Sequence, residues 1–164
     1  MENELLSNID LTFLSKLFKI SSLNGILSKD LFAKTSPKLG CYIVNLDDAI
    51  GGGTHWTGLI ITKDMAIYYD SFGAPAPNSI ISFVRRYNAN IKIIYSIDQI
   101  QHMDSVYCGY FVVYFLYFFN VLNKRCTNYR YLINRHNMIY SLNNRKLNDR
   151  VLKTLIKNIL DKKL

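Results

Sequence analysis

Cysteine is sparse in this sequence: of 164 residues only Cys41, Cys108 and Cys126 carry thiols. They form no CxxC pair and no Cys/His group at zinc-ligand spacing, which argues against a disulfide framework and against a structural metal. An odd, sparse set suits a reducing compartment, where a single thiolate can serve as a nucleophile. A basic leader is also missing. The segment Met1-Glu2-Asn3-Glu4 carries two acids and no basic side chain where a secretory signal would be cationic, and no run of small residues offers a cleavage site. The expectation is a protein that stays inside a cell or a particle. No hydrophobic run reaches the ~20 residues of a spanning helix. Residues 107–122 come nearest, with only Asn120 strongly polar, but their four tyrosines suit a protein core. The glycines Gly51, Gly52 and Gly53 have no Lys-Ser or Lys-Thr sequel, so they make no phosphate-binding loop and instead let the segment before His55 bend.

Acidic residues are scarce toward the C-terminus. Residues 120–164 hold eleven Lys/Arg against Asp149 and Asp161, while the first 119 residues hold nine basic and ten acidic side chains, so the net charge of +8 is concentrated in one third of the chain. Such a surface signals a polyanion, DNA or anionic membrane, with a solvated helix face as the plain alternative. At 49% hydrophobic the chain is long enough for one domain, 1–164, that buries roughly 70% of its unfolded surface.

Apolar spacing at Leu11, Leu14, Leu17 and Phe18 predicts a helix over 9–20 with Asp10 as its N-cap. Pro37 and Gly40 punctuate a loop, and residues 41–46 read as a short buried strand. Residues 56–61 and 66–69 are β-rich runs joined by Thr62-Lys63-Asp64-Met65, the length of an antiparallel turn. A turn centred on Thr62-Lys63 sets His55 opposite Asp70. One centred on Lys63-Asp64 offsets them by two residues but keeps both on one face, because strand side chains alternate. Asn78 is placed to cap a helix through Ile81, Phe83, Val84 and Tyr87; residues 91–95 form a strand candidate and 97–107 a polar loop. Helices follow over 109–122, 128–142 and 147–160. In the last, Leu147, Val151, Leu152, Leu155, Ile156, Ile159 and Leu160 share one face opposite Arg150, Lys153 and Lys157, a pattern that suits packing on the domain, or binding of lipid or DNA.

Cys108 stands where the longest apolar helix begins, and a helix N-terminus with a nearby imidazolium favours a thiolate. His55 would take the thiol proton and later protonate a leaving amine. Asp70 would fix the imidazole tautomer and stabilise its charged form. The Gln101 side chain and the Cys108 backbone N–H would meet a developing oxyanion, each such donor being worth on the order of 3 kcal/mol. Gly109 leaves the helix start uncrowded for a substrate carbonyl. Taken singly, a buried cysteine is packing and a histidine on a strand edge is surface; their joint occurrence carries the reading.

The segments Ser36-Pro37-Lys38-Leu39-Gly40-Cys41-Tyr42-Ile43-Val44-Asn45, Gly52-Gly53-Thr54-His55-Trp56, Tyr69-Asp70-Ser71-Phe72-Gly73, and Gln101 with Cys108-Gly109-Tyr110-Phe111 resemble the adenovirus maturation proteases, the adenains. Relatives in virophages and Polinton-type elements share the pattern, and the usage rich in Lys, Asn, Ile and Tyr suits an A/T-rich genome such as theirs. The resemblance spans about 36–122, leaving 123–164 as a basic helical part. It implies an α+β fold of the papain-like, SUMO-protease-like kind, a small mixed central sheet flanked by helices with the nucleophile at the start of a buried helix. It implies a thiol endopeptidase that trims capsid and core precursors at Gly-containing sites during virion maturation. In that pattern His55 is the base, Asp70 stands where adenains have a glutamate, Gln101 is the oxyanion donor seven residues before the nucleophile Cys108, and His102 has no catalytic part. Trp56, Gly53 and Gly109 are the candidate substrate-binding residues, with Trp56 walling a narrow tunnel over Cys108.

The resemblance further implies no chemically required cofactor but possible activation by DNA and by a viral peptide. In adenains the peptide is linked through a cysteine from a stretch that, here between Cys41 and Cys108, contains none. It also implies a monomer located in the virion or at the assembly site in host cytoplasm or nucleus. Two rival functions use the same residues differently: an isopeptidase acting on ubiquitin-like tails, and a non-catalytic basic module that binds DNA or membrane on a protease scaffold.

Overall fold

The computed structural model describes residues 5–51 and 54–162, the Ala33 side chain excepted. The elements run α1 (Asn8–Leu17), β1 (Leu23–Ser28), α2 (Lys29–Lys34), β2 (Gly40–Asn45), β3 (Trp56–Ile61), β4 (Met65–Tyr69), α3 (Asn78–Tyr87), β5 (Lys92–Tyr95), α4 (Cys108–Tyr117), α5 (Tyr129–Asn137) and α6 (Arg145–Asp161); a π-helical turn, Phe118–Leu122, extends α4. The five strands form one mixed sheet in sequence order. β1 and β2 are parallel, β2, β3 and β4 antiparallel, and β4 and β5 parallel.

Alternation along the strands divides the interior into two layers. Cys41 and Ile43 of β2, Ile60 of β3, and Ile67 and Tyr69 of β4 face a layer filled by α4 together with Leu11, Leu132, Leu152 and Ile156 from α1, α5 and α6. Tyr42, Val44, Leu59, Ile61, Ala66 and Tyr68 face the opposite layer, closed by Phe32 of α2 and Ile80, Phe83 and Val84 of α3. Nine of the ten residues of α4 are buried. An all-round apolar helix belongs in a core, and each large side chain there contributes about 1.5–3 kcal/mol on burial. The helix crosses the sheet at Gly58, where an added Cβ would meet Val112 Cγ1 at 3.4 Å, and Tyr69 stacks on Phe115 with ring centroids 4.1 Å apart.

Several boundaries differ from those expected. The N-cap of α1 is Ser7, not Asp10. Asp10 occupies the third helical position and completes a capping box, its Oδ2 accepting from the Ser7 amide at 2.8 Å while Ser7 Oγ accepts from the Asp10 amide at 3.3 Å. The helix stops at Leu17 because Lys19 adopts φ +57°, so that Ile20 N–H returns to Ser15 O and Lys19 N–H to Lys16 O, two bonds that satisfy its last carbonyls. Pro77, not Asn78, precedes α3 as its cap, with no side-chain cap bond. β1 and α2 had no counterpart in the sequence reading. β1 is a half-buried edge strand containing Asn24 and Gly25, with an irregular register at Leu23–Gly25, and α2 has only six residues.

The β3–β4 hairpin takes the second of the two registers considered. Ile61 pairs with Ala66 and Gly58 with Tyr69, so the turn centres on Lys63-Asp64. Thr62 closes it, its Oγ1 donating to Met65 O at 2.8 Å. His55 precedes β3 and Asp70 follows β4, which places both at one end of the sheet. β5 is parallel to β4, so the chain leaving β5 toward Gln101 and Cys108 emerges at that same end. Among the described residues no helix is long and apolar enough to cross a membrane.

Candidate active site

Asp70 is almost fully buried, and two donors converge on its Oδ1: His55 Nε2 at 2.8 Å and the Phe72 amide at 2.8 Å. Because a buried carboxylate only accepts, His55 carries its proton on Nε2, and Nδ1 is left as the basic nitrogen of the neutral ring. The Phe72 ring covers the imidazole, centroids 4.8 Å apart. His55 Nδ1 is buried and makes no hydrogen bond of ordinary geometry among the described residues. Cys108 is nevertheless near enough to act on this ring. Burial is the largest single influence on His55 and disfavours its charge, but the hydrogen bond to Asp70, then the Cys108 thiol, and then the charges of both outweigh it and raise the imidazole to about 9. Cys108 is 3% exposed and is the first residue of α4, so its backbone N–H is among those a helix start leaves without an intrahelical acceptor.

Gln101 is fully buried, and its amide orientation is settled by chemistry. Nε2 donates to Ser105 O at 2.7 Å, a carbonyl that can only accept, while Oε1 accepts from Ser71 Oγ at 2.5 Å. One N–H of the amide remains for another acceptor. The loop carrying Gln101 is stitched to the turn carrying Asp70. Ser71 O accepts from the Ile100 and Gln101 amides at 3.0 and 2.9 Å, and Gly73, at φ +74°, lies so close that an added Cβ would stand 2.7 Å from Ile97 O. Glycine is needed there for both reasons.

The structure thus draws His55 and Asp70 into contact, sets Cys108 within their influence, and ties Gln101 to the residue after Asp70. The other expected residues fall differently. Trp56 is largely buried, and its indole N–H donates to Leu6 O at 2.8 Å, so it is held by the N-terminal segment; both line a cavity of about 420 Å³ at this end of the sheet. At Gly109 an added Cβ would meet Leu6 Cδ1 at 3.1 Å and Leu11 Cδ2 at 3.3 Å, so on that side its small size admits the chain's own leucines. Gly53 lies outside the described residues. His102 accepts from the Asp104 amide at 3.2 Å, apart from the His55–Asp70 pair. Ser71 and Ser105, which orient Gln101, escaped the sequence reading. Ser71 lies within the segment that carries the resemblance, but a serine hydroxyl offers no spacing signal of its own.

No protein-family model matches the sequence, and no curated protein is similar to it. Solved structures are. The ASFV pS273R protease aligns over 80% of this chain and 62% of its own, at 16% identity and a TM-score of 0.56, so the chain spans less than two thirds of that protein. The SUMO protease Ulp1, solved with its catalytic cysteine oxidised to a sulfinic acid, aligns over 93% of this chain and 80% of its own, at 17% identity and a TM-score of 0.50. The fold is that of the SUMO-protease-like cysteine proteases, α+β with a five-stranded mixed sheet.

Proposed function

We propose that the protein is a cysteine endopeptidase that cleaves viral structural precursors at Gly-containing sites during virion maturation, with Cys108 as nucleophile, His55 as base and acid, Asp70 as its orienting carboxylate and Gln101 as oxyanion donor. The observation that carries the reading is a buried His55–Asp70 pair that leaves Nδ1 unpartnered and within the influence of a cysteine at a helix start. His55 takes the Cys108 proton, and the thiolate attacks the scissile carbonyl carbon. The electron pair of the C=O bond moves to oxygen, where the free Gln101 N–H and the Cys108 amide donate to it. The C–N bond then breaks as His55 gives its proton to the departing amine, leaving a thioester. Water attacks that carbon, loses a proton to His55, and releases the acid and the thiol.

The chemistry needs no cofactor. DNA and a viral peptide are proposed as activators, the basic residues of 120–164 as the polyanion surface, and a monomer in the virion or at the assembly site as the working form. Cys108→Ala is expected to abolish cleavage of a Gly-containing precursor peptide while circular dichroism stays unchanged; retained cleavage would sink the proposal. The likeness to Ulp1 over 93% of the chain favours one second reading, a deconjugase of ubiquitin-like tails. Reaction with SUMO or ubiquitin C-terminal probes in preference to precursor peptides would select it.

A further inference from the structure

The contacts between α6 and the loop at 97–107 share one pattern. Four α6 side chains at helical spacing grip successive points of that loop. Arg145 Nε donates to Gln99 O at 2.8 Å, and the fully buried Asn148 sends Nδ2 to Ile100 O at 2.7 Å. Asp149 Oδ1 accepts from Ser105 Oγ at 2.9 Å, and Lys153 Nζ stands 4.6 Å from the centre of the Tyr107 ring. Positions 145, 148, 149 and 153 fall on one helix face because three- and four-residue steps return to the same side. The loop has no strand or helix of its own to satisfy its carbonyls, so these side chains do what a ladder would. Burial pushes the Asp149 carboxyl up against the Ser105 hydroxyl and the charges of Lys153 and His102, the mark of a carboxylate drawn partly out of water for this contact.

We infer that α6 is the clamp of the candidate oxyanion loop and that Asp149 is a positioning residue acting through Ser105 on Gln101. The chain of contacts is short. Asp149 holds the Ser105 hydroxyl, the Ser105 carbonyl holds one N–H of Gln101, and the other N–H is thereby aimed. None of these contacts touches His55, Asp70 or Cys108. The clamp therefore governs how the oxyanion is met and not how the thiolate is made.

The inference rests on the protease reading, and the experiment separates the two. Turnover is measured with a synthetic peptide amide ending in Gly-Gly and carrying an aminomethylcoumarin leaving group, and thiolate chemistry by the rate of Cys108 alkylation with iodoacetamide, which forms no oxyanion. Asp149→Ala is expected to lower kcat about tenfold with KM within about twofold, misplacement of a donor acting on the transition state. Its alkylation rate should equal that of the unaltered protein. Asp149→Asn, which still offers Ser105 an acceptor, should keep at least about half of kcat. In a Gln101→Ala background Asp149→Ala should cost less than about twofold more. Without any substrate, the Gln101 side-chain amide proton bonded to Ser105 O should exchange slowly with solvent in the unaltered protein and in Asp149→Asn, and fast in Asp149→Ala. Undiminished kcat, an equal further loss without Gln101, a parallel fall in alkylation, or slow amide exchange in Asp149→Ala would each overturn the clamp. An unaltered protein whose Cys108 alkylates no faster than a free thiol would instead overturn the protease reading, and the clamp with it.

Discussion

The charged form of His55, the state it reaches on taking the thiol proton, is favoured because Asp70 offers a buried, doubly engaged carboxylate oxygen to Nε2, and Cys108 adds to the effect of Asp70. Its folded value of about 9 lies above its ordinary 6.5, so the stability this pair contributes is full below about pH 6.5 and is lost as the pH rises through 9. Asp70→Asn keeps the shape and removes the charge. Burial then faces weaker opposition, and the midpoint of His55, followed by NMR of the imidazole or as the alkaline limb of Cys108 alkylation, is expected to move down from about 9; an unmoved limb would refute Asp70 as the source of the shift. The meeting of His55 and Asp70 was legible in sequence because two-residue strand alternation and a short turn restrict which side chains can meet. Ser71, Ser105 and Asp149 were not, because their hydrogen bonds depend on loop paths that no periodicity encodes. At Gly109 a small residue beside the candidate nucleophile reads as room for a substrate, and that the chain's own Leu6 and Leu11 stand against it is a tertiary fact.

Between elements, the decisive joint is the turn after β4 against the loop after β5. Gly73 combines a left-handed backbone with a Cβ position 2.7 Å from Ile97 O, 2.9 Å from the Asp98 carbonyl carbon and 2.9 Å from the Gln99 amide. Gly73→Ala must therefore bear backbone strain and displace main chain, at a cost expected to exceed about 2 kcal/mol in urea denaturation. Gly109→Ala meets only leucine side chains, at 3.1 and 3.3 Å, one of them Leu6 of the N-terminal segment, and is expected to cost less. Equal losses would show that the Gly73 joint is not rigid. The elements that escaped sequence reading have the weakest local signals. β1 lies at the sheet edge with polar Asn24 exposed within it, and α2 is under two turns long, so tertiary pairing rather than periodicity defines both. The hairpin register was also beyond the sequence, since either turn centre keeps His55 and Asp70 on one face.

Over the whole molecule, charge and packing together set the expectation for the two polyanions that composition alone left equal. An amphipathic helix binds lipid by sinking a free apolar face into the headgroup boundary. Most of the apolar face of α6 is already committed: Leu152 and Ile156 are buried, and Val151, Leu155, Ile159 and Leu160 pack beside the core, while Leu147 in the first turn stays exposed. Of its cations, Arg145 and Lys153 serve the loop at 97–107, while Lys146, Arg150 and Lys157 lie on exposed positions. A helix with charge to offer and little of its apolar face free to insert suits a phosphate backbone better than a bilayer. Duplex DNA is therefore expected to bind, with affinity that falls more than about tenfold between 0.05 and 0.15 M salt if three or more phosphates are neutralised, because log K declines by about 0.9 per phosphate for each decade of salt. Fluorescence anisotropy of a labelled duplex measures this, with co-sedimentation on phosphatidylserine vesicles as the counter-test. Binding to vesicles that survives 0.15 M salt while the duplex is released would place the basic third of the chain on a membrane instead.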